Sequence, residues 1–322
     1  MNFETIDTPK VAAGIVLYKP NNERFEKCIA SLQNQVDKIF VFDNTPEGTK
    51  DKIIDYTVYR WEGENKGIAY ALNQITEAAK NSGFEWLITM DQDSIMPHGL
   101  VASYKEQIVE HPALGIVCPQ VIDKRRPYLH AKVDPEAEYI ESCITSASCM
   151  SICAWEKIGK FDEWLFIDLV DNEYCKRLIA SGYKILRLND WTLDQQFGKI
   201  ELKSKQTQKF WLWVSKALKN ENFAKFSYKK HVDPMRVYYT NRNIIYVNRK
   251  MKHYGKVGYK NYNCKGYLGF LICFVLPSIL RAQDKSAVMK AVRKGFLDGI
   301  KQGVQPWHAA PRGNDQHAGN LS

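Results

Sequence analysis

The first two hundred residues alternate between short apolar runs and amphipathic stretches. Val11 to Tyr18 is an apolar run closed by Lys19-Pro20-Asn21, which predicts a buried strand followed by a turn. Glu23 to Gln35 places Phe25, Cys28, Ile29 and Leu32 at helical spacing. Lys38 to Phe42 predicts a second strand, ending in the turn signal Asp43-Asn44-Thr45-Pro46, and Val58 to Trp61 a third. From Gly67 to Asn81, residues Ala69, Leu72, Ile75 and Ala79 share one helical side. Trp86 to Met90 predicts a central strand that runs into Asp91-Gln92-Asp93. A helix over Leu100 to His111 and a strand over Gly115 to Pro119 follow. Strands alternating with helices across short turns indicate an α/β fold with a mostly parallel central sheet flanked by helices. Ligands of such sheets bind at the carboxyl ends of the strands. Three of these strands end in polar or acidic turns, so one crevice is expected where they converge.

Beyond residue 198 the pattern changes, and charge changes with it. The whole chain has 45 basic and 36 acidic side chains, a net charge of +9. Residues 1–198 hold 21 basic and 30 acidic, a balance of −9, and residues 199–322 hold 24 and 6, a balance of +18. We therefore expect a catalytic core over 1–198, a basic helical region over 199–304 and a flexible tail over 305–322. In the basic region Trp211, Trp213, Phe223, Phe226 and Tyr228 interleave with Lys209, Lys216, Lys219, Lys225, Lys229 and Lys230. An apolar run of about fourteen residues, Tyr267 to Leu280, is interrupted by Pro277 and falls short of the ~20 needed to span a bilayer. Basic segments carrying Trp and Tyr suit an anionic membrane surface. They equally suit a helical appendage packed on the core or on a second subunit, as in a homodimer.

Composition removes several classes. Hydrophobic residues at 45% and aromatics at 12% exclude wholesale disorder. Met1 to Lys10 is polar, unlike a secretory signal, and the eight cysteines are scattered without C-x-x-C, as in a cytoplasmic protein with reduced thiols. No Cys/His cluster has zinc-ligand spacing.

The candidate chemistry lies at the strand ends. Asp91 and Asp93 stand one residue apart after an apolar strand, so both carboxylates can approach one hard cation, Mg²⁺ or Mn²⁺, which would in turn hold a diphosphate. The other reading is a solvated acidic turn. Asp43 either accepts hydrogen bonds from a base or ribose, or caps its own backbone in an Asx-turn. Asn65-Lys66-Gly67 opens the helix carrying Asn73, and a glycine at a helix entrance lets backbone approach an anion; ordinary capping by Asn65 is the alternative. In FDEWLFIDLVDNEYCKR, residues 161–177, Asp168 and Asp171 stand among apolar neighbours, and Asp171 at a helix start is a candidate general base. Arg236 to Lys250 mixes arginine with tyrosine at helical spacing, and Arg242 and Asn243 either reach phosphates or belong to an amphipathic packing helix.

Taken together, VAAGIVLYKPN, VFDNTP, ENKGIAYALN, ITMDQDS, FDEWLFIDLVDNEYCKRL and RVYYTNRN, over roughly residues 10–250, resemble the inverting family 2 glycosyltransferases of GT-A fold. More narrowly they look like bacterial rhamnosyltransferases of polysaccharide assembly. The resemblance implies a nucleotide-diphosphate sugar donor, with Tyr18, Pro20 and Asp43 around the nucleoside. It implies Asp91 and Asp93 as the D-x-D, Asp93 being the direct metal ligand, and Asp171 as the base that deprotonates the acceptor hydroxyl. It implies dTDP-rhamnose as donor, with UDP-hexoses or UDP-galactofuranose as alternatives, and a polyprenyl-linked or oligosaccharide acceptor. The enzyme would then sit peripherally on the inner face of the cell membrane. Two departures stand out. Val170-Asp171 replaces the frequent E-D pair, and Gln195-Gln196-Phe197-Gly198 puts Gln195 where many relatives have a histidine. An amide is a poorer metal ligand than imidazole.

Two other classes fit less well. A nucleic-acid-binding protein would use the basic aromatic segments, but no recognisable motif is present and the acidic half would repel phosphate. A dinucleotide oxidoreductase would need G-x-G-x-x-G after the first strand, where Val11-Ala12-Ala13-Gly14 stands instead.

Overall fold

A computed structural model describes residues 8–49, 57–126, 129–195 and 200–310. Strands β1 (Val11–Leu17), β2 (Lys38–Asp43), β3 (Thr57–Trp61) and β4 (Trp86–Asp91) form where the apolar runs predict them. Helices α1 (Asn22–Leu32), α2 (Ile68–Asn81) and α3 (Leu100–Glu110) lie between and after them, and β5 (Leu114–Ile122) follows. Asn21 caps α1 by accepting from Arg24 N–H. Val11, Ala12, Ala13, Ile15 and Leu17 are all fully buried, which is why β1 reads as a continuous apolar run rather than an alternating one.

The second part of the sheet was not anticipated. Short strands β6 (Ala137–Tyr139) and β7 (Ser148–Ser151) precede α4 (Ile152–Ile158), α5 (Val170–Ala180) and the long β8 (Lys184–Asp194). The eight strands lie in the order β3-β2-β1-β4-β7-β5-β8-β6. β7 runs antiparallel between β4 and β5, and β6 runs antiparallel at the edge; the remaining pairs are parallel. The register sets Leu17 beside Asp43 on one side and Val16 beside Asp91 on the other. The ends of β2 and β4 therefore flank the end of β1, two strand spacings or about 10 Å apart. The three strand ends expected to converge do so.

The sheet separates two apolar cores. One includes Phe25, Ile29, Leu32, Leu100 and Tyr104 from α1 and α3. The other joins Leu72 and Ile75 of α2 and Tyr174 and Leu178 of α5 to residues far beyond 198: Ile244, Tyr246 and Val247, then Met251, Tyr259, Phe270 and Val275. The change of charge at residue 198 is thus not a change of core.

The C-terminal region consists of β9 (Ile200–Leu202), α6 (Lys205–Ala217), β10 (Tyr228–Lys230) and α7 (Pro234–Lys250), followed by α8 (Tyr267–Phe270), a π turn over Leu271–Val275, α9 (Leu276–Arg281) and α10 (Lys285–Lys301). α6 buries none of its residues, whereas α7 is deeply packed. The beginning of the expected flexible tail is seated on the end of α7. Trp307 N–H donates to the Lys250 carbonyl at 2.9 Å, and its ring meets Tyr254 at 5.1 Å. Residues 311–322 lie outside the described residues.

By length and composition the 23 residues Tyr259–Arg281 could cross a membrane. The backbone interrupts them, however. Asn263 is left-handed (φ 52°) and Gly266 is extended (φ 179°), so the continuous helix starts at Tyr267. From there to Arg281 it rises about 22 Å, short of a ~30 Å hydrocarbon core.

Candidate active site

The site begins with how the strand ends are tied. Gln92 accepts from Tyr18 N–H (2.8 Å) and donates to the Tyr18 carbonyl (3.1 Å), locking the end of β1 to the end of β4. Lys19 N–H donates to Thr45 Oγ1 at 2.8 Å, locking it to β2. The Tyr18 ring stays exposed above this junction, with Pro20 half-buried beside it. Asp43 is fully buried and takes the Asx-turn geometry, accepting from Thr45 N–H (2.8 Å), with Thr49 (2.6 Å) and Tyr59 (2.8 Å) on its other oxygen. In this structure it therefore holds the loop 43–49, and no face of it opens to a base or ribose.

Three further candidates hold protein rather than ligand. Asn65 accepts from Gly67 N–H at 2.9 Å, the capping alternative. Gly67 has φ +87°, and a Cβ there would lie 2.6–2.8 Å from Phe166, so the close approach that requires glycine is to the 166 loop. Asn73 is buried, donates to the Phe161 carbonyl and Glu163, and accepts from Phe161 N–H and Trp155 Nε1. Its amide is saturated within the core.

The D-x-D turn is asymmetric. Asp93 is exposed, 3.7 Å from Arg24. Asp91 is enclosed, and burial first, then the negative charge of Asp93, pushes its carboxyl up to about 6. Its backbone N–H donates to Ser146 at 3.2 Å. Gln195 donates its amide to Asp91, and its own buried carbonyl oxygen has no hydrogen-bond partner among the described residues. Flipping that amide would set oxygen against carboxylate, so the orientation follows from charge. Two repelling carboxylates and an open amide oxygen are the donor set a hard cation takes, with its remaining positions left to phosphate oxygens and water. The residues fit Mg²⁺ or Mn²⁺, and no group of three His, Cys, Asp or Glu side chains adds to them among the described residues. Gln196, Phe197 and Gly198 lie outside the described residues.

Across the crevice, the loop before α5 is unusual. Phe166, Asp168 and Leu169 all have positive φ (56°, 66° and 63°), which costs about 1–2 kcal/mol per residue without glycine. Asn243 holds this loop by donating to the carbonyls of Leu165, Ile167 and Asp168, each at 2.8 Å. Arg242 donates to the Trp164 carbonyl and stacks over the Trp164 ring at 3.8 Å. The phosphate-contacting alternative for Arg242 and Asn243 therefore gives way to packing, since both side chains are buried and committed to the loop.

What the loop presents is Asp168, with Asp171 in the first turn of α5. Asp171 accepts from Asn172 N–H at 2.8 Å. Burial raises its carboxyl to about 7 against that hydrogen bond, with the Cys143 thiol and Asp168 raising it further. Arg236, at the start of α7, was not singled out from the sequence. It pairs with Asp168 at 2.5 Å, and its positive charge also lowers Asp91. Thr240 donates to Asp168 at 3.3 Å. The Tyr262 hydroxyl, held up by burial, feels Asp168, Arg236 and Asp171 together. Arg236 thus stands between the Asp91 turn and the Asp168–Asp171 pair. The available signal was its place one helical turn before Thr240 on the exposed start of a helix whose next turns are buried.

It joins two acidic centres, Asp91 at the end of β4 and Asp168 before α5, by a direct pair with one and its charge on the other. Residues 15–156 match the family model Glycosyl transferase family 2. Over 211 residues the chain is 28% identical to the dTDP-rhamnosyl transferase RfbF of Shigella flexneri, covering 60% of this chain and 71% of that protein. Among solved structures it is similar to GalNAc-T7 with UDP, GalNAc and Mn²⁺ (12% identity, TM-score 0.47), covering 84% of this chain and 57% of the other. It is also similar to S. aureus TarS 1–349 in complex with UDP-GlcNAc (12% identity, TM-score 0.48), covering 90% and 72%. The protein carries a family 2 glycosyltransferase domain, is a glycosyltransferase, and is rhamnosyltransferase-like in sequence.

Proposed function

We propose that this glycosyltransferase inverts the anomeric centre of a nucleotide-diphosphate sugar, with L-rhamnose from dTDP-rhamnose as its donor. The acceptor is a hydroxyl of a polyprenyl-linked or growing bacterial cell-surface polysaccharide. The observation that carries the reading is Asp171. Its carboxyl is raised to about 7 and linked through Asp168 and Arg236 to the Asp91 turn. A base whose pKa lies near neutrality accepts a proton without being fully protonated beforehand. The dTDP-rhamnose assignment rests on likeness to a dTDP-rhamnosyl transferase.

In this reading the acceptor hydroxyl lies against Asp171. Its oxygen bonds to the anomeric carbon as its proton passes to the Asp171 carboxylate. The bond from that carbon to the diphosphate oxygen breaks on the opposite face, and the diphosphate leaves with the electron pair. Arg236 exchanges Asp168 for the diphosphate and meets the charge that grows on it. Asp91 and Asp93, with the open oxygen of Gln195, would hold Mg²⁺ or Mn²⁺. That ion, when bound, would supply positive charge to the same leaving group.

Calorimetry against dTDP-rhamnose, UDP-glucose, UDP-galactose and UDP-galactofuranose, with and without Mn²⁺, tests the donor. Tight binding of dTDP-rhamnose that weakens when Mn²⁺ is withdrawn is expected. Preference for a UDP-sugar would overturn the donor assignment and leave the crevice intact. Asp171→Asn should bind donor with near-normal affinity and transfer no sugar; full transfer would sink the base assignment.

A further inference from the structure

The surface carried by the last two long helical segments has no role in the site. Along the helix from Tyr267 to Arg281, Leu268, Ile272, Leu276 and Leu280 are all exposed, between 50% and 73%. They recur every fourth residue. A regular α-helix would rotate each such step by about 40°, so the three steps between them would wind the series off one face. The π turn over Leu271–Val275 widens the helix in the middle of the series and brings the later residues back toward the line of the earlier ones. A core helix has no use for an outward stripe of this kind.

α10 continues the surface. Gly295 and Gly299 face α7: a Cβ on either would come within 2.5–2.6 Å of the carbonyls of Tyr238 and Arg242. That close seat turns Met289, Phe296, Leu297 and Ile300 outward, where all four are exposed. Arg249 fixes the far end of α10 through the carbonyls of Gly299, Ile300 and Gln302. The Phe296 ring lies 6.0 Å from Tyr267, which precedes Leu268, so the two apolar stripes adjoin. Lys285, Lys290, Arg293, Lys294 and Lys301 are exposed on α10, and Lys265 is exposed just before the first segment. Residues 252–301 hold ten Lys or Arg and two acidic residues. Of the two acids, Asp284 is exposed and caps the start of α10, and Asp298 is half-buried and accepts from Tyr238.

We propose that this face, helix 267–281 together with α10, docks flat on an anionic lipid bilayer. The aliphatic stripes enter the boundary between headgroups and acyl chains, and the lysines and arginines lie at the level of the lipid phosphates. Charge complementarity selects this occupant over a second copy of the chain, whose matching face would carry the same positive charge. The helix is too short to cross, so the attachment is peripheral. It does not depend on the donor or the base.

The test is co-sedimentation of the full chain with vesicles of phosphatidylcholine alone or mixed with phosphatidylglycerol. Binding to the mixed vesicles is expected at about 0.01 M salt, where charges act over ~30 Å, and should fall steeply at about 1 M, where they act over ~3 Å. Ile272→Asp with Leu276→Asp should lower partitioning by about tenfold or more, since each buried aliphatic side chain contributes at least that factor. Lys290→Gln with Arg293→Gln should remove the preference for the anionic lipid. All variants should keep the wild-type melting temperature and donor affinity, because the altered residues are exposed and remote from the crevice. No vesicle binding by the wild type, or undiminished binding by the aspartate variant, overturns the proposal. A lipid-free dimer in sedimentation velocity, abolished by the aspartate variant, would assign the face to a second copy instead.

Discussion

As the proposed base, Asp171 joins catalysis to stability with opposite signs. Its folded carboxyl sits near 7, above the ~3.9 of an unfolded chain, so folding is favoured only while it stays protonated. Below about pH 4 both states are protonated and the residue is neutral in effect. Between about 4 and 7 stability drains away as pH rises, and above 7 the full penalty remains. Asp171→Asn should therefore raise the melting temperature by several degrees at pH 8 and by little at pH 4, measured by calorimetry, while transfer disappears. In the wild type, kcat/KM should rise with pH through an apparent pKa near 7, because the base must be ionised. Arg236 makes a second prediction. Arg236→Ala should lower kcat by about 10²–10³, as loss of one charge-stabilising donor does, and Arg236→Lys should recover only part of it. An unchanged kcat in Arg236→Ala would return that arginine to a surface role. At this scale the sequence singled out Asp91, Asp93 and Asp171 as acidic groups at or just after a strand end, or at a helix start, and the structure places them so. It was not legible at Arg242 against Arg236. Both lie on the same helix with the same charge, and only packing shows that one is stacked on Trp164 while the other faces the crevice.

Elements matter here through one loop and two helices. Phe166, Asp168 and Leu169 hold positive φ without glycine, in a loop fastened by Asn243. Asn243→Ala removes three donor contacts from buried carbonyls, and should destabilise the protein by about 2–4 kcal/mol and cut transfer without changing the pH optimum. Chemical denaturation and a pH–rate profile check both parts. Gly67→Ala should be costly for a different reason: positive φ, and a methyl pressed into Phe166. The strands and helices of the first half announced themselves because each runs to completion within a short window of one periodicity. β6 and β7 did not, being three and four residues long. Strands so short carry too few side chains to display alternation, and they exist because β4 and β5 leave room for β7 between them and β8 offers an edge to β6.

For the whole molecule, the decisive feature is that the acidic and basic halves share one core. Ile244, Tyr246, Val247 and Phe270 pack with Leu72, Tyr174 and Leu178. A fragment ending at residue 198 would expose that apolar surface, and we expect it to be insoluble or to bind hydrophobic dye without a cooperative thermal transition. A soluble, cooperatively melting fragment would show that the core domain is self-sufficient. The amino-acid sequence by itself determined the alternation of strands and helices, the crevice at the ends of β1, β2 and β4, and the acidic groups facing it. Those features rest on local periodicity and on turns that follow each strand directly. Tertiary structure alone decided which polar residues remain for a ligand. Asp43, Asn73, Arg242 and Asn243 were candidates in sequence beside Asp171, but buried polar groups must find partners, and theirs are within the protein. It also decided that the basic segment is no appendage. α7 closes the core, holds the loop before α5 and supplies Arg236, because a helix apolar along one face must bury that face wherever the fold leaves room.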